Sequence, residues 1–307
     1  MLVILCPGQG SQKPGFMQSW LELDAYKTDI ERFSETVAID LRTHGTISDE
    51  ETIRDTAIAQ PLIVAASLAS ASLLDLAGVA GVAGHSVGEI AAAAISGILA
   101  DSQAMQLVGL RANAMAKAAA NSEPTGMAAI LGGEESLVLA ALSSLNLTPA
   151  NYNGSGQIVA AGSKAAISEL QATGIDGAKV IPLSVAGAFH SKYMQPAVSE
   201  LQDYASNLSV ADPKISIWSN QNGQQVTSGR EFLDLLVGQV ASPVRWDLCM
   251  KAMVSAGITA VIEVSPAGTL AGLAKRGMPG VEIVALREPT DISVAQELIN
   301  RFKSEVK

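Results

Sequence analysis

The stretch GHSVGE places Ser86 between Gly84 and Gly88, which is the G-x-S-x-G spacing of a nucleophile elbow. On spacing alone the motif is weak, because glycines also serve ordinary tight turns. An apolar run, VAGVAG, precedes the serine, and an alanine-rich run, EIAAAAISGIL, follows it closely. This pattern predicts strand, turn and helix, the setting that the motif requires, and the start of a helix favours developing negative charge. The sequence therefore predicts that Ser86 is a nucleophile.

A serine hydroxyl needs a base, usually histidine, and the chain has only His44, His85 and His190. His85 adjoins Ser86 on a sharp turn, so we expect its side chain to point away from the hydroxyl. His44 lies in the polar stretch LRTHGTISDEE and is interpreted as an exposed loop residue. His190 follows the apolar run KVIPLSV and precedes a helix, at a strand end where functional side chains gather. Although a lone histidine is more often structural, elimination leaves His190 as the predicted base.

A third, acidic member of a triad is not evident. In α/β-hydrolases the chain order is serine, then acid, then a late histidine. Here His190 is in the middle of the chain, and no acid between it and Ser86 stands out at a strand end. An amide or a backbone carbonyl would orient the histidine and fix its tautomer equally well. This departure disfavours a generic esterase.

Arg111 is a second candidate for a functional role. In MQLVGLRANAM it lies three residues after Val108 and four before Met115, on one apolar face of a predicted helix. A guanidinium on such a face is expected to be buried and paired. One interpretation is a structural ion pair or a side chain that reaches the surface. The other is a bidentate clamp for a substrate carboxylate, which the planar guanidinium suits.

The elements that position these residues alternate between strand and helix. LVILC (2–6) predicts a strand buried on both faces, and the Gly/Pro-rich PGQGSQKPG ends it. The alternation predicts an α/β fold with a mostly parallel sheet and helices on both faces. The middle of the chain instead follows the order β-α-β-β-α-β, which is typical of a ferredoxin-like subdomain. We place this subdomain at 123–188, inserted in a large domain formed by 1–122 and 189–307.

Composition narrows the class of protein. Of the 307 residues, 48% are hydrophobic and 16% charged, and the net charge is −10. The acidic balance disfavours nucleic acid, which needs a basic surface. No apolar run approaches the roughly 20 residues that span a bilayer, so no membrane role is expected. The start MLVILCPGQG lacks the basic leader of a signal peptide, which predicts a cytoplasmic protein. The two cysteines give neither a disulfide framework nor a metal-ligand spacing.

Several motifs together resemble the malonyl-CoA:acyl-carrier-protein transacylases. They are PGQGSQ after the first strand, GHSVGE, an arginine 25 positions after the serine, GAFHS and SPVRW. The similarity continues to EVSPAGTLAGLAKR and so covers nearly the whole chain. The resemblance implies a large α/β-hydrolase-like domain with a ferredoxin-like insertion, in agreement with the pattern of elements.

The resemblance also implies the catalytic roles. Ser86 would be the acylated nucleophile and His190 its base. Backbone N–H groups of Gln9 and Val87 would form the oxyanion hole. Gln239, in GQVASPV, would orient His190 through its carbonyl.

Two residues would set the substrate. By resemblance Arg111 holds the malonyl carboxylate, and Phe189 matches the malonyl-selecting form of its segment rather than the methylmalonyl-selecting form. Many family members have Asn-Pro-Val where this chain has Ser242-Pro243-Val244. That departure removes an asparagine side chain from position 242 but leaves a backbone role open.

The expected reaction is ping-pong transfer of a malonyl group from malonyl-CoA to the phosphopantetheine thiol of an acyl carrier protein. The malonyl group would pass through an ester on the serine, and no metal or other cofactor is expected. Alternatives with the same chemistry are a malonate decarboxylase transacylase subunit and a polyketide loading enzyme. From other classes, a serine hydrolase of small acid esters and a non-catalytic scaffold that binds carrier proteins are both less favoured.

Overall fold

The computed structural model describes residues 1–185 and 187–305. Within these residues the chain is a mixed α/β structure with two sheets and thirteen α-helices, which confirms the predicted α/β class. The strands are β1 (Leu2–Cys6), β2 (Val79–Gly84), β3 (Thr125–Gly132), β4 (Thr148–Gly154), β5 (Gln157–Ser163), β6 (Ala178–Leu183), β7 (Ser216–Trp218), β8 (Gln225–Val226), β9 (Val244–Arg245), β10 (Ala260–Glu263) and β11 (Glu282–Ala285). The helices are α1 (Asp24–Val37), α2 (Leu41–Thr46), α3 (Glu50–Arg54), α4 (Thr56–Ala71), α5 (Gly88–Ile95), α6 (Asp101–Ala120), α7 (Glu135–Ser144), α8 (Lys164–Thr173), α9 (Gln195–Ser206), α10 (Gly229–Gln239), α11 (Trp246–Ser255), α12 (Thr269–Gly277) and α13 (Asp291–Glu305).

The larger sheet has six strands in the order β11-β10-β1-β2-β7-β8. All neighbours are parallel except β8, which runs antiparallel to β7 at one edge. Strand β1 is buried along its whole length, as the continuous apolar run LVILC requires of a central strand covered on both faces. Because β1 and β2 are parallel neighbours, the loop after Cys6 and the turn after Gly84 meet at the same edge of the sheet.

The smaller sheet has five strands in the order β6-β3-β5-β4-β9. The chain runs β3-α7-β4-β5-α8-β6, and the neighbours among these strands are antiparallel. One face of the sheet packs on α7 and α8 through Ala128, Ile130 and Ala160. Strand β9 comes from the later part of the chain and pairs in parallel with β4, so it ties the smaller sheet to the segment after α10.

A cleft of about 620 Å³ lies between the two sheets. The smaller sheet contributes Met127, Ala129 and Val159, which alternate with the residues that face its own helices. The larger sheet contributes the loop after β1 and the turn after β2. No helix in the described part of the chain is long and apolar enough to cross a membrane.

Candidate active site

Ser86 lies on the sharp turn between β2 and α5, with its backbone at φ +54°. The flanking glycines allow this turn. A Cβ on Gly84 would lie 2.1 Å from the carbonyl carbon of Gly88, and a Cβ on Gly88 would lie 2.1 Å from the carbonyl oxygen of Cys6. No side chain fits at such distances, so the G-x-S-x-G spacing is a packing requirement that presents Ser86 at the start of α5.

His190 contacts the Ser86 hydroxyl. The Ser86 Oγ lies 2.8 Å from Nε2 of the imidazole, and Nδ1 lies 3.0 Å from the carbonyl oxygen of Gln239. A carbonyl oxygen only accepts hydrogen bonds, so Nδ1 carries the proton and Nε2 is left to accept the serine proton. The structure thus brings Ser86, His190 and the Gln239 carbonyl into one chain of hydrogen bonds.

Burial controls the charge of His190. The side chain is 4% exposed, and its backbone N–H donates to Val240 at 3.2 Å. Burial, reinforced by the cationic Arg111, lowers the pKa of His190 to about 3. The imidazole is therefore neutral at physiological pH and free to accept a proton.

The other two histidines have different partners. His85 points away from the hydroxyl, with Nε2 2.9 Å from Asn153 Oδ1 and its ring edge-on to Trp246. His44 is half-buried within α2, and its Nδ1 lies 3.0 Å from Ser48 Oγ. The expectation of an exposed loop for His44 is therefore wrong. Asp40 caps the N-terminus of α2 and stabilises a short helix in this polar stretch.

Arg111 lies in α6 and is 1% exposed. Its Nη1 donates to Gln60 Oε1 at 2.7 Å, and its Nη2 donates to Ser86 Oγ at 3.2 Å. None of the ion pairs found among the described residues includes this guanidinium. Burial lowers the pKa of Arg111 to about 10, and the nearby Glu89 opposes the shift. Arg111 is thus a buried cation beside the serine, with neutral hydrogen-bond acceptors only.

Glu89 is the acidic group whose field reaches Arg111. It follows the elbow in α5 and is 1% exposed. Burial raises the pKa of Glu89 to about 8, against the lowering effects of the Asn220 backbone N–H and of Arg111.

Two backbone N–H groups beside the serine have no acceptor within the part of the chain that the structure describes. They belong to Gln9, in the loop after β1, and to Val87, the residue after Ser86. The N–H of Ser86 itself is occupied, because it donates to Asn220 Oδ1 at 2.7 Å. Free N–H donors at a helix start next to a nucleophile can stabilise a developing oxyanion.

The remaining predicted residue is Phe189, and the segment after Gln239 carries the departure from the family pattern. Phe189, 6% exposed, lines the cleft next to His190. At the departure from the common family pattern, the backbone N–H of Ser242 donates to the Gln239 carbonyl at 3.1 Å. That carbonyl therefore accepts from both Ser242 and His190, which involves no side chain at position 242. The catalytic role of each of these residues stays a prediction.

Two residues at the site were not predicted from the sequence. Gln60, in α4, contacts Arg111 and lines the cleft. Asn220, after β7, contacts the elbow backbone. Gln60 lies inside an apolar helix, TAIAQPLIVAASLASA, where a lone buried amide is a signal that could have been followed. Asn220 lies in the turn-like SNQNG and gives no such signal.

The fold and the contact between Ser86 and His190 are what is expected of an enzyme that transfers acyl groups. Residues 3–296 match the sequence family of the acyl transferase domain. The malonyl CoA-acyl carrier protein transacylase of Mycobacterium tuberculosis is 46% identical over 297 residues, covering 95% of this chain and 98% of the relative. That of Escherichia coli is 32% identical over 305 residues, covering 95% and 97%. The chain belongs to the malonyl CoA-acyl carrier protein transacylase family, as the resemblance in the sequence predicted.

Solved structures agree with this assignment. The crystal structure of MCAT from Mycobacterium tuberculosis superposes with a TM-score of 0.93 at 46% identity, covering 96% of this chain and 99% of that one. A malonyl-transacylase, PlMCAT, in complex with AntF, the acyl-carrier protein of a type II PKS, gives a TM-score of 0.90 at 27% identity, covering 97% and 99%.

Proposed function

We propose that the protein transfers a malonyl group from malonyl-CoA to the phosphopantetheine thiol of an acyl carrier protein, as an [acyl-carrier-protein] S-malonyltransferase of fatty acid biosynthesis. The observation that carries the proposal is the position of Ser86 Oγ, 2.8 Å from His190 Nε2 and 3.2 Å from the buried Arg111 Nη2. The first pair supplies an activated nucleophile, and the second supplies a cation for the distal carboxylate of the acyl group. The relatives, which are malonyl CoA-acyl carrier protein transacylases, support the same donor and acceptor.

In the first half-reaction, Ser86 Oγ attacks the thioester carbonyl while its proton passes to His190 Nε2. The N–H groups of Gln9 and Val87 are the proposed donors to the resulting oxyanion. The C–S bond then breaks, and the sulfur of coenzyme A takes the proton from His190. The product is a malonyl ester on Ser86, with the base again neutral.

The second half-reaction runs through the same groups. The phosphopantetheine thiol gives its proton to His190 Nε2, and its sulfur attacks the ester carbonyl. When the C–O bond breaks, the Ser86 oxygen recovers that proton. The Gln239 carbonyl, 3.0 Å from Nδ1, holds the imidazole in one tautomer and stabilises its cationic form during both steps.

Substrate selection rests on Arg111. A malonyl carboxylate in the cleft would give the guanidinium the anionic partner that it lacks among the described residues, in the bidentate geometry that arginine favours. Phe189 is proposed to limit the room beside the α-carbon of the acyl group, because its buried side chain lines the cleft next to His190.

The fold supports a finer description, which we propose. The larger sheet carries its nucleophile on a strand–turn–helix elbow, as α/β-hydrolases do. The smaller unit follows the β-α-β-β-α-β order of a ferredoxin-like subdomain. On this division the large domain comprises 1–122 and 189–307, and the small one 123–188.

The proposed chemistry uses side chains and backbone alone, with coenzyme A as part of the substrate and no further cofactor. Among the described residues no group of three or more His, Cys, Asp or Glu side chains could hold a metal ion. Cys6 and Cys249 are buried free thiols, which suits the cytoplasm as the proposed compartment.

The competing classes differ in the acceptor of the acyl group. A transacylase passes malonyl to a holo carrier protein and releases little malonate without it, whereas a serine hydrolase releases malonate in both cases. The test follows malonyl-carrier protein and free malonate from malonyl-CoA, with and without holo carrier protein, and uses the Ser86→Ala variant as the control. Malonate release that is equally fast without the carrier protein would contradict the proposal.

A further inference from the structure

The side chain of Asn220 bridges two backbone groups of the elbow. Its Nδ2 donates to the carbonyl oxygen of Gly84 at 2.7 Å, and its Oδ1 accepts from the N–H of Ser86 at 2.7 Å. The parallel pairing of β2 with β7 ends at Ala83 and Trp218, just before these residues. The amide therefore continues the ladder of hydrogen bonds beyond the strand and spans the turn on which the serine sits.

Asn220 is itself held on both sides. Its backbone N–H donates to Glu89 Oε1 at 2.8 Å, and its carbonyl oxygen accepts from the N–H of Arg245 at 2.8 Å. The residue is 0% exposed, so its side chain has no solvent to turn to. Because Glu89 belongs to the helix that begins at the elbow, Asn220 links both arms of the turn into one rigid unit.

Asn220 affects both the backbone conformation of Ser86 and the choice of oxyanion donor. Ser86 adopts φ +54°, a conformation that a residue other than glycine keeps only when its surroundings hold it there. The Asn220 Oδ1 also occupies the Ser86 N–H, so that N–H cannot serve an oxyanion. The N–H of Val87, which has no acceptor among the described residues, is left as the donor at this turn.

We infer that Asn220 is a positioning residue for acyl transfer, which fixes the backbone of the nucleophile and selects Val87 over Ser86 as the oxyanion donor. The inference rests on the proposed function of the site. Asn220 is fully buried, and both polar atoms of its side chain are bonded to the elbow backbone, so it acts through the elbow and not by touching substrate. Its loss should therefore slow the chemical step and leave the binding of malonyl-CoA unchanged.

Variants at position 220 distinguish the hydrogen bonds of the amide from the space that its side chain fills. Asn220→Leu keeps the approximate shape but offers neither a donor to the Gly84 carbonyl nor an acceptor to the Ser86 N–H. Asn220→Ala removes both hydrogen bonds to the elbow, together with the weak donation from Nδ2 to Cys249 Sγ at 3.7 Å, and adds no charge. Asn222→Leu is the matched control, because Asn222 is an exposed asparagine two residues away whose side chain accepts only from Gln224 N–H.

Rapid-quench mass spectrometry of each variant with malonyl-CoA gives the maximal rate of Ser86 acylation and the half-saturating concentration. Rates are expressed per folded molecule, as measured by near-ultraviolet circular dichroism. We expect both Asn220 variants to lose about 10²-fold in the maximal rate, the scale on which a small misplacement acts, at an unchanged half-saturating concentration. Asn222→Leu should match the wild type in both quantities.

Acylation of Asn220→Leu at the wild-type rate would overturn the inference and leave the proposed function intact. A change confined to the folded fraction or to the half-saturating concentration would overturn it as well, because a merely structural role predicts that result. If the wild type forms no malonyl adduct, the proposed function fails, and the inference fails with it.

The crystal structure of wild-type malonyl-enzyme tests the inference without any variant, should the substitutions prevent folding. We expect the ester carbonyl oxygen on the N–H of Val87, with the Ser86 N–H still on Asn220 Oδ1. An ester oxygen bound to the Ser86 N–H, with the amide turned away, would contradict the inference.

Discussion

Arg111 directs one guanidinium nitrogen at Gln60 and the other at the Ser86 hydroxyl. A cation buried in this way is costly unless an anion reaches it. Because malonyl ends in a carboxylate and acetyl does not, the cost is relieved only when malonyl occupies the cleft. We therefore propose that the buried charge of Arg111 makes the enzyme choose malonyl over acetyl.

Replacing Arg111 with alanine should change the choice of acyl group. Removing one partner of a buried charge pair costs about 2–5 kcal/mol, so Arg111→Ala should lose most malonyl transfer. Acetyl transfer should hold or improve, because the variant no longer buries an unpaired cation. The measurement is the ratio of acetyl to malonyl transfer at a matched folded fraction.

Arg54→Ala is the control for that ratio. Arg54 lines the cleft and is paired with Glu50. Malonyl-CoA and acetyl-CoA share the coenzyme A group, so loss of any contact between Arg54 and coenzyme A would affect both substrates equally. A ratio that is the same in wild type and Arg111→Ala would remove Arg111 from the site and favour a purely structural role.

The pKa of His190 predicts the pH dependence of acylation. Since burial and Arg111 lower it to about 3 from an ordinary value of 6.5, the base stays neutral as the pH falls through 6.5. The maximal rate of Ser86 acylation, followed by rapid quench, should stay level from about pH 8 to about pH 5. A loss of rate centred near pH 6.5 would show a base with an ordinary pKa and contradict this assignment.

The lowered pKa of His190 also makes the free energy of unfolding depend on pH. Between its folded and unfolded pKa values His190 binds a proton only in the unfolded chain, so its contribution favours unfolding as the pH falls below 6.5. The acylation measurement must therefore be corrected for the folded fraction at its acidic end.

At the scale of elements, the elbow depends on close packing between β2, α5 and the end of β1. A methyl group on Gly84 would lie 2.2 Å from the Gly88 carbonyl oxygen and 2.3 Å from the Glu89 nitrogen, all of them backbone atoms. Backbone cannot move aside as a flexible side chain can, so the strand and the helix would have to separate.

Gly84→Ala should therefore destabilise the protein by about 1–3 kcal/mol, the usual cost of overpacking, and reduce acylation of the remaining folded molecules. Gly126→Ala is the matched control, because a Cβ on this β3 glycine meets nothing within 4 Å. Thermal unfolding and acylation rates are compared for the two variants. Equal unfolding temperatures and wild-type acylation in Gly84→Ala would contradict the packing argument.

The sequence predicted elements well where a pattern was local. Continuous apolar runs identified the buried strands β1 and β2, and the glycine spacing identified the turn between β2 and α5. The prediction of an exposed loop at His44 was wrong, because Asp40 caps and stabilises a short helix that the polar sequence did not indicate. The two-residue strand β9 was also missed, since it exists only through pairing with β4, and such pairing leaves no local pattern.

In the whole molecule, the site is formed by segments that are far apart in the sequence. Ser86 and His190 are 104 residues apart in the chain, and Ser86 and Asn220 are 134 apart. His190 could be predicted because only three histidines compete for the role of base. Asn220 could not be predicted, because asparagine is common in turns and its contact with the elbow depends on the pairing of β2 with β7.

In the proposed function, Ser86 carries the malonyl group between the two substrates. Intact-mass spectrometry after brief incubation with malonyl-CoA, followed by peptide mapping, tests it most directly. We expect a gain in mass of one malonyl group on the peptide containing Ser86, its loss on addition of holo carrier protein, and no gain in Ser86→Ala. An unchanged mass in the wild type, or a malonyl adduct that persists in Ser86→Ala, would contradict it.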